Sequence, residues 1–245
     1  MKIYGLIGNP LSHSFSKKYF TEKFSNENIN DCEYQNFEIK NLPEEILSLK
    51  KNSFLSGLNV TIPYKSQIIQ FLDTISREVH EINACNCIKI DGGNWRGFNT
   101  DITGFEKSFI PCLRLHNTRA LVLGTGGSSK AVAYVLKKLQ IDFLFVSRNK
   151  DLSREIINYE SISSAIMKEY TIVINTTPAG MFPNADRYPQ LPYELVSDKH
   201  YFFDLVYNPA KTLFLSKAAA MGAVIKNGGD MLSIQAEESW KIWSQ

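Results

Sequence analysis

The sequence lacks the patterns that mark metal-binding, secreted and membrane-spanning proteins. Its four cysteines include no C-x-x-C pair, which excludes a zinc knuckle and a thioredoxin-type redox motif. Its four histidines are scattered, without the H-x-H or H-E-x-x-H spacing of metal ligands. No apolar run approaches the length of a membrane span, and no signal-peptide segment is found near residue 1. We therefore expect no bound metal, free thiols and a cytoplasmic protein.

The chain also lacks an excess of charge. Lysine and arginine number 27 against 25 aspartates and glutamates, which leaves a formal charge of +2 and no basic block. Nucleic acid is therefore not an expected partner. The 245 residues, 44% of them hydrophobic, are typical of a globular chain of one or two domains. We expect a small-molecule substrate as partner, no nucleic acid and no membrane, and an assembly that is a monomer or a homodimer.

A glycine turn follows a short apolar run in the stretch Arg119–Leu139. Residues 120–123 are typical of a buried parallel strand, and the sequence GTGG at 124–127 then forms a turn that only glycine permits. A helix is predicted next, because apolar residues recur along one face. Strand, glycine turn and helix together direct backbone N–H groups at a pyrophosphate. The stretch therefore predicts dinucleotide binding, and a purely structural glycine turn is the alternative.

Polar side chains lie at strand ends in the first part of the chain. Strands are predicted at 2–8, 33–39 and 58–62, with helices at 17–24 and 42–49. Ser14 and Ser16 lie between the first strand and its helix. Two interpretations fit them: they cap the helix, or they hold a polar ligand at the carboxyl end of the strand.

A lysine follows the third predicted strand. Pro63 is predicted to end this strand and to begin a helix, since proline is tolerated in a first helical turn. Lys65 is thereby brought close to Asn59 and Thr61. A lone lysine is usually a solvated surface charge. The polar groups around this strand end favour a functional role instead.

A hairpin is predicted from strands at 82–90 and 95–99, because Asp-Gly-Gly at 91–93 is a strong turn signal. It carries Asn86 and leads to Asp101. That aspartate fits two roles: the N-cap of a helix through 105–109, or a carboxylate partner for Lys65. The sequence spacing does not decide between the two.

The second half of the chain continues to alternate strands and helices. Strands are predicted at 143–146, 171–175, 201–206 and 223–226, and helices at 212–221 and 230–243, with another beginning at Asp151 or Ser153. Residues 178–192 contain four prolines and form a long loop, which is either a lid near the nicotinamide or an uneventful connection.

The region after the second strand of the nucleotide unit bears on the choice of cofactor. An NAD-binding unit usually has an acidic residue there for the ribose 2′-hydroxyl. This chain has Arg148 at the strand end, and the nearest acid, Asp151, comes later. An arginine can donate charge-assisted hydrogen bonds to a 2′-phosphate. The pattern favours NADP over NAD, and an ordinary surface arginine is the alternative.

Seven motifs, taken in order, cover nearly the whole chain, and as a set they resemble shikimate 5-dehydrogenases. They are Ser14-x-Ser16, Asn59-Val-Thr61-Ile-Pro63-Tyr-Lys65, Asn99-Thr-Asp101-x-x-Gly104, Gly124-x-Gly126-Gly127, Asn175-Thr176-Thr177-Pro178-Ala-Gly180-Met181, Asp204-Leu-Val-Tyr207-Asn-Pro209-x-x-Thr212 and Asn227-Gly228-Gly229-Asp230-Met231-Leu232. Two segments depart from the family pattern: Asn83-Ala-Cys85-Asn86-Cys87 and Ser147-Arg148-Asn149.

The resemblance implies an α/β protein of two domains. Residues 1–101 and 229–245 would form a substrate-binding catalytic domain, to which the C-terminal helix returns, and residues 102–228 a Rossmann NADP-binding domain. The implied activity is the NADP-dependent, reversible reduction of 3-dehydroshikimate to shikimate, on the route to chorismate and the aromatic amino acids. A broader quinate/shikimate dehydrogenase and a non-catalytic nucleotide-sensing relative are the alternatives.

The resemblance also implies roles for individual residues. Lys65 and Asp101 would be the catalytic pair, and no metal is implied. The implied substrate contacts are Ser14, Ser16, Thr61, Asn86, Tyr207 and Gln235. The implied NADP contacts are Gly124, Gly126, Gly127, Ser128, Ser147, Arg148, Asn149, Thr176, Leu205 and Gly228.

Overall fold

The computed structural model describes residues 1–11, 14–148 and 155–245. The chain divides into two compact units: Met1–Thr100 together with Ala236–Gln245 form the first unit, and Asp101–Gln235 form the second. Each unit contains one six-stranded sheet. Helices are interleaved with the strands in both units, so the predicted α/β class is confirmed.

The first unit has a mixed sheet in the strand order β2-β1-β3-β5-β6-β4. Strands β1, β2 and β3 are parallel, whereas β5 is antiparallel to β3 and forms a hairpin with β6. Its elements are β1 (Lys2–Gly8), α1 (Phe15–Asn26), β2 (Cys32–Glu38), α2 (Leu42–Leu49), β3 (Leu55–Val60), β4 (Thr74–Ile75), α3 (Arg77–Ile82), β5 (Cys87–Asp91) and β6 (Asn94–Phe98), with a 3₁₀ helix at Gln67–Phe71.

The second unit has a fully parallel sheet in the order β12-β11-β10-β7-β8-β9. Residues 120–123 of β7 are completely buried, as expected for a strand covered by helices on both faces. The elements are α4 (Asp101–Phe109), β7 (Arg119–Leu123), α5 (Gly127–Lys138), β8 (Asp142–Ser147), β9 (Ile156–Asn158), α6 (Ser164–Glu169), β10 (Ile172–Asn175), β11 (Tyr201–Asp204), α7 (Leu213–Ala220), β12 (Val224–Lys226) and α8 (Gly229–Ser244).

Helix α8 belongs to both units, because the division falls at Ala236. Its C-terminal half packs on the sheet of the first unit. The Trp243 ring stacks on Tyr4 with 5.0 Å between the ring centroids, and its indole N–H donates to the Ile88 carbonyl at 2.9 Å. Gly57 leaves room for this ring, since a Cβ there would come within 2.5 Å of the indole nitrogen. The C-terminal half of α8 is therefore part of the core of the first unit.

Two sequence predictions in the first unit are wrong. Pro63 does not begin a helix: residues 61–66 form turns, in which the Tyr64 N–H donates to the Thr61 carbonyl at 2.9 Å. The strand predicted at 82–90 begins only at Cys87, because α3 occupies residues 77–82. The Ser76 side chain caps that helix and Asn83 ends it in the left-handed conformation, with φ of 50°.

A third prediction needs a smaller correction. Asp101 is the first residue of α4 itself, so it is not the residue that precedes and caps the helix. The helix start predicted at Asp151 or Ser153 lies outside the described residues. Within the part of the chain that the structure describes, no helix is both long and apolar enough to span a membrane.

Candidate active site

The predicted substrate residues of the first unit lie near strand ends at one edge of its sheet. Ser14 and Ser16 come after β1, and Thr61 and Lys65 come after β3. Asn86 directly precedes β5, which runs antiparallel to β3 with Cys87 opposite Asn59. The strand order reverses at β1, because β2 and β3 lie on opposite sides of it. Open α/β sheets bind ligands at such switch points.

The two serines have different local roles. Ser14 is the N-cap of α1, and its hydroxyl accepts a hydrogen bond from the Lys17 N–H at 3.5 Å. Ser16 is buried in the first turn of the helix. Burial raises the pKa of the Tyr34 phenol well above its ordinary value, and a side-chain hydrogen bond with Ser16 acts in the opposite direction. The capping interpretation is therefore confirmed for Ser14 alone.

The backbone around Lys65 is fixed from both sides. Its carbonyl accepts a hydrogen bond from the Cys85 N–H at 2.7 Å. The preceding residue, Tyr64, is buried and donates its hydroxyl to the Ile39 carbonyl at 2.6 Å. The following residue, Ser66, donates to the Asn83 carbonyl at 2.8 Å. These bonds fix the backbone of Lys65 beyond the end of β3, and its side chain is half-buried.

Asn86 is held by Thr100, the residue directly before the proposed catalytic residue Asp101. Its side-chain oxygen accepts from the Thr100 N–H at 2.6 Å, and its amide donates to the Thr100 hydroxyl at 3.1 Å. Both residues are almost fully buried. The next residue in the chain is Asp101. Asn86 is thus tied to the residue directly before Asp101.

In the second unit, Asp101 opens α4 and is 5% exposed. One turn later, Gly104 lies against the start of α8: a Cβ at this position would come within 2.7 Å of the Met231 carbonyl oxygen and 3.0 Å of Gln235. Gln235 is buried, and its amide donates to the Leu232 carbonyl at 3.1 Å. Glycine at position 104 therefore lets α4 and α8 approach closely.

The predicted cofactor residues of the second unit meet at one edge of its sheet. All six strands are parallel, so their carboxyl ends point to the same side. Five of these strands, β7, β8, β10, β11 and β12, have predicted cofactor residues at or just beyond their carboxyl ends. In chain order these are Gly124, Gly126, Gly127 and Ser128; Ser147 and Arg148; Thr176; Leu205; and Gly228. Asn149 lies outside the described residues.

The glycine turn after β7 fits the pyrophosphate of a dinucleotide. Gly124 has φ of +101°, and a Cβ there would press on Thr177 and Thr176 at 2.9 and 3.0 Å. A Cβ on Gly126 would meet no described atom within 4 Å, so open space lies before the N-terminus of α5. The N-cap residue is Gly126, which has no side chain to cap the helix, and the first turn holds no acid. An anion can approach the helix N-terminus directly.

Gly228 and Arg148 also lie at this edge of the sheet. Gly228 packs on the backbone of Leu205. A Cβ at position 228 would clash with the Leu205 carbonyl oxygen. Arg148 directly follows β8 and is exposed. Burial raises the pKa of Tyr159, and the charge of Arg148 acts to lower it. The Arg148 guanidinium therefore interacts electrostatically with the Tyr159 phenol.

Sequence reasoning missed a buried carboxylate between the loops that follow β10 and β11. Asp204 is fully buried at the end of β11. It accepts hydrogen bonds from the Asn175 amide at 2.9 Å, the Val206 N–H at 3.0 Å and the Thr212 hydroxyl at 2.6 Å. Burial raises its pKa to about 6, against the opposing effect of these bonds. The carboxylate ties together the loops that carry Thr176 and Tyr207.

Tyr207 follows this carboxylate by three residues. Burial raises the pKa of its phenol, so the hydroxyl stays protonated and can donate a hydrogen bond at neutral pH. Its position beyond the end of β11 agrees with a ligand contact at the carboxyl edge of the sheet.

Replacing Asp204 by asparagine is expected to change the pH dependence of stability. The pKa is 3.8 for an ordinary aspartate and about 6 in the folded protein, so folding favours the protonated form between these values. The stability that Asp204 contributes is full below pH ~4 and is lost as the pH rises to about 6. In urea unfolding, the wild-type free energy relative to Asp204→Asn should fall by about 3 kcal/mol over this window. The exposed control Asp198→Asn should show no such trend, and a wild-type difference that rises with pH contradicts the assignment.

Comparison with known proteins identifies the family. The model of the shikimate dehydrogenase substrate binding domain matches residues 6–88. A shikimate dehydrogenase (NADP(+)) of Caldicellulosiruptor saccharolyticus is 35% identical, covering 99% of this chain and 92% of the relative. The chain therefore belongs to the shikimate dehydrogenase family.

Solved structures agree with this assignment over the full length of the chain. Shikimate dehydrogenase from Aquifex aeolicus superposes with a TM-score of 0.89 at 31% identity, covering 99% of this chain and 92% of the other. Shikimate 5-dehydrogenase from Thermus thermophilus, crystallised with NADP(H) and shikimate, gives a TM-score of 0.85 at 26% identity, covering 100% and 94%. The predicted family is confirmed.

Proposed function

We propose that this protein is an enzyme that reversibly reduces 3-dehydroshikimate to shikimate with NADPH. The relatives that match nearly the whole chain carry this activity in their names, and a solved relative holds both NADP(H) and shikimate. The single observation that carries the proposal from this structure is the parallel sheet edge in the second unit. There, five strand ends present the predicted cofactor residues beside an uncapped helix N-terminus.

NADPH supplies the hydride when it is bound, and the protein supplies the proton and the orientation of the reactants. In this proposal the Lys65 ammonium donates a proton to the carbonyl oxygen as hydride reaches the carbonyl carbon. In the reverse direction, the neutral amine takes the proton from the hydroxyl. The Asp101 carboxylate acts with Lys65 as its charge partner. One proton and one hydride are added or removed in each turnover.

The proposed substrate contacts suit a hydroxylated carboxylate. Serine, threonine and tyrosine hydroxyls donate and accept hydrogen bonds, and asparagine and glutamine amides do both through separate atoms. Together they can satisfy the ring hydroxyls and the carboxylate of shikimate. The proposed contacts are Ser14, Ser16, Thr61, Asn86, Tyr207 and Gln235.

The proposed NADP site uses backbone donors for the pyrophosphate and one cation for the 2′-phosphate. The N-terminus of α5, with Gly124, Gly126, Gly127 and Ser128, would hold the pyrophosphate. Ser147, Arg148 and Asn149 would contact the adenosine ribose and its 2′-phosphate. Thr176, Leu205 and Gly228 would line the nicotinamide side. We also propose that the protein acts in the cytoplasm, as a monomer or a homodimer.

An absorbance assay at 340 nm tests the proposed activity. The purified protein is mixed with shikimate or quinate and with NADP⁺ or NAD⁺, and formation of reduced nicotinamide is followed. Shikimate with NADP⁺ should give the highest kcat/KM. Absence of a signal in all four combinations would overturn the proposed function, and a preference for quinate would reassign the substrate.

Replacing Arg148 by leucine is expected to weaken NADP⁺ binding selectively. Hydrogen bonds to a charged group contribute about 1.5–3 kcal/mol, or roughly one to two orders of magnitude in affinity. KM for NADP⁺ should rise by an amount in this range, while KM for NAD⁺ stays nearly unchanged. Lys168→Leu, which removes an exposed positive charge from α6, is the control. An equal rise for both cofactors would contradict the proposed contact with the 2′-phosphate.

A further inference from the structure

A buried chain of hydrogen bonds runs through the first unit and includes two of its proposed substrate residues. It begins at Ser16, which bonds to the Tyr34 phenol. The Tyr34 hydroxyl donates to the Asn59 side-chain oxygen at 2.9 Å. The Asn59 amide then donates to the Ser239 hydroxyl, also at 2.9 Å. These residues come from α1, β2, β3 and α8.

The chain continues from Ser239 to the second proposed substrate residue. The hydroxyls of Ser239 and Thr100 lie 3.2 Å apart and share a hydrogen bond. Thr100 in turn holds both side-chain polar atoms of Asn86. Every member of the chain is at most 8% exposed. One continuous path of polar atoms therefore connects Ser16 with Asn86.

Asn59 is the central member, and its neighbours fix the orientation of its amide. Its nitrogen donates to the Asn86 carbonyl oxygen at 3.3 Å and to the Ser239 hydroxyl, while its oxygen accepts from Tyr34. A backbone carbonyl only accepts, so the nitrogen must face Asn86. The amide cannot turn over without placing its oxygen against that carbonyl, which keeps the path in one arrangement.

Buried polar atoms are costly to leave without partners, so loss of one member disturbs its neighbours. Removing the Tyr34 hydroxyl would strand the Asn59 oxygen and release Ser16. Removing the Ser239 hydroxyl would strand the Asn59 amide hydrogen and loosen Thr100. Neither Tyr34 nor Ser239 is among the proposed ligand contacts. Their effect on a ligand must therefore pass through Ser16 and Asn86.

We propose that Tyr34, Asn59 and Ser239 are positioning residues that hold Ser16 and Asn86 in the geometry that binds shikimate. The role rests on the proposed function, because it concerns the same substrate. It also gives α8 a part in substrate binding through Ser239, in addition to the packing of its aromatic residues.

Two single variants and their double variant test this role. Tyr34→Phe retains the ring that stacks on Phe20, with ring centroids 4.6 Å apart, and loses only the hydroxyl. Ser239→Ala loses only its hydroxyl. Each should raise KM for shikimate about tenfold, equivalent to 1.4 kcal/mol, and change kcat and KM for NADP⁺ by less than about threefold. The double variant should raise KM by much less than the product of the single effects, because both act on Asn59.

Tyr201→Phe and Ser108→Ala are matched controls in the second unit. The Tyr201 hydroxyl donates to the Phe109 carbonyl at 3.2 Å, and the Ser108 hydroxyl to the Phe105 carbonyl at 3.1 Å. Both side chains are as deeply buried as the test residues. These variants should lose comparable stability in urea unfolding and leave KM for shikimate unchanged.

The outcomes separate this role from the proposed function. An inactive wild type contradicts the proposed function, and the positioning role falls with it. An active wild type with an unchanged KM for shikimate in both single variants contradicts the positioning role alone. Equal rises in KM for shikimate and NADP⁺, or multiplicative effects in the double variant, also overturn it. A selective and non-multiplicative rise in KM for shikimate supports it.

Discussion

Replacing Lys65 by alanine is expected to lower kcat by about 10²–10⁴, the usual contribution of a positioned proton-transfer group. KM for shikimate should change much less, because most of the substrate contacts remain. The backbone around Lys65 is held in place, because the carbonyl of Lys65 and the side chains of Tyr64 and Ser66 are all hydrogen-bonded. Steady-state kinetics with shikimate and NADP⁺ measure both quantities.

Two further variants sharpen the test of Lys65. Lys65→Arg keeps the positive charge but holds its proton too tightly to exchange it, so kcat should stay low while KM remains near the wild-type value. Lys51→Ala removes an exposed lysine from the same unit and should leave both parameters unchanged. If Lys65→Ala retained near-normal kcat with a large rise in KM, the residue would bind substrate and not transfer protons.

The second large effect is expected from Trp243→Ala, which should lower the free energy of unfolding by about 3–5 kcal/mol. The indole ring is 6% exposed, stacks on Tyr4 and lies 5.3 Å from Phe20 between ring centroids. Its loss leaves a cavity beside Gly57 and removes the donor to the buried Ile88 carbonyl. Urea unfolding followed by circular dichroism measures the change.

Trp243→Phe separates the two contributions of this side chain. Phenylalanine preserves part of the aromatic packing and loses the N–H donor, so it should be less destabilising than alanine. A loss below about 1 kcal/mol for Trp243→Ala is too small for removal of a buried aromatic side chain. That result would show that the C-terminal half of α8 is not anchored on the first unit as described.

The elements with strong local signals were predictable from the sequence. The helix predicted at residues 42–49 is observed with those bounds, and the strand predicted at 2–8 is observed as β1. The hairpin at Asp91-Gly92-Gly93 and the helix after the glycine turn also follow from local residue types. In each case apolar periodicity and turn residues favour the same structure, so no tertiary contact is needed to decide it.

Other elements depend on contacts that the sequence does not display. Helix α3 is six residues long, and its capping residues Ser76 and Asn83 have no long apolar pattern between them. Strand β4 has two residues and exists only through pairing with β6. Pro63 has residue-type preferences that suit a helix start, but hydrogen bonds of the neighbouring residues favour turns.

The candidate site also has one part that the sequence predicts and another part that it does not. The glycine turn and the polar strand ends were visible as motifs, whereas the partners that hold them were not. Tyr34 and Asn59 are separated by 25 residues, and Asn59 and Ser239 by 180. Asp204 lies in a recognisable motif, but only burial and three hydrogen bonds show that it joins two loops. Such networks join residues that are far apart in the sequence, so they are seen only in the folded structure.

The most direct measurement of the central claim follows the hydride itself. The protein is incubated with 3-dehydroshikimate and NADPH that carries two deuterium atoms at C4 of the nicotinamide, and the product is analysed by mass spectrometry. The proposed reaction predicts shikimate that is one mass unit heavier than natural shikimate, with one deuterium bound to carbon. Absence of shikimate, or shikimate without deuterium, would contradict the proposed hydride transfer.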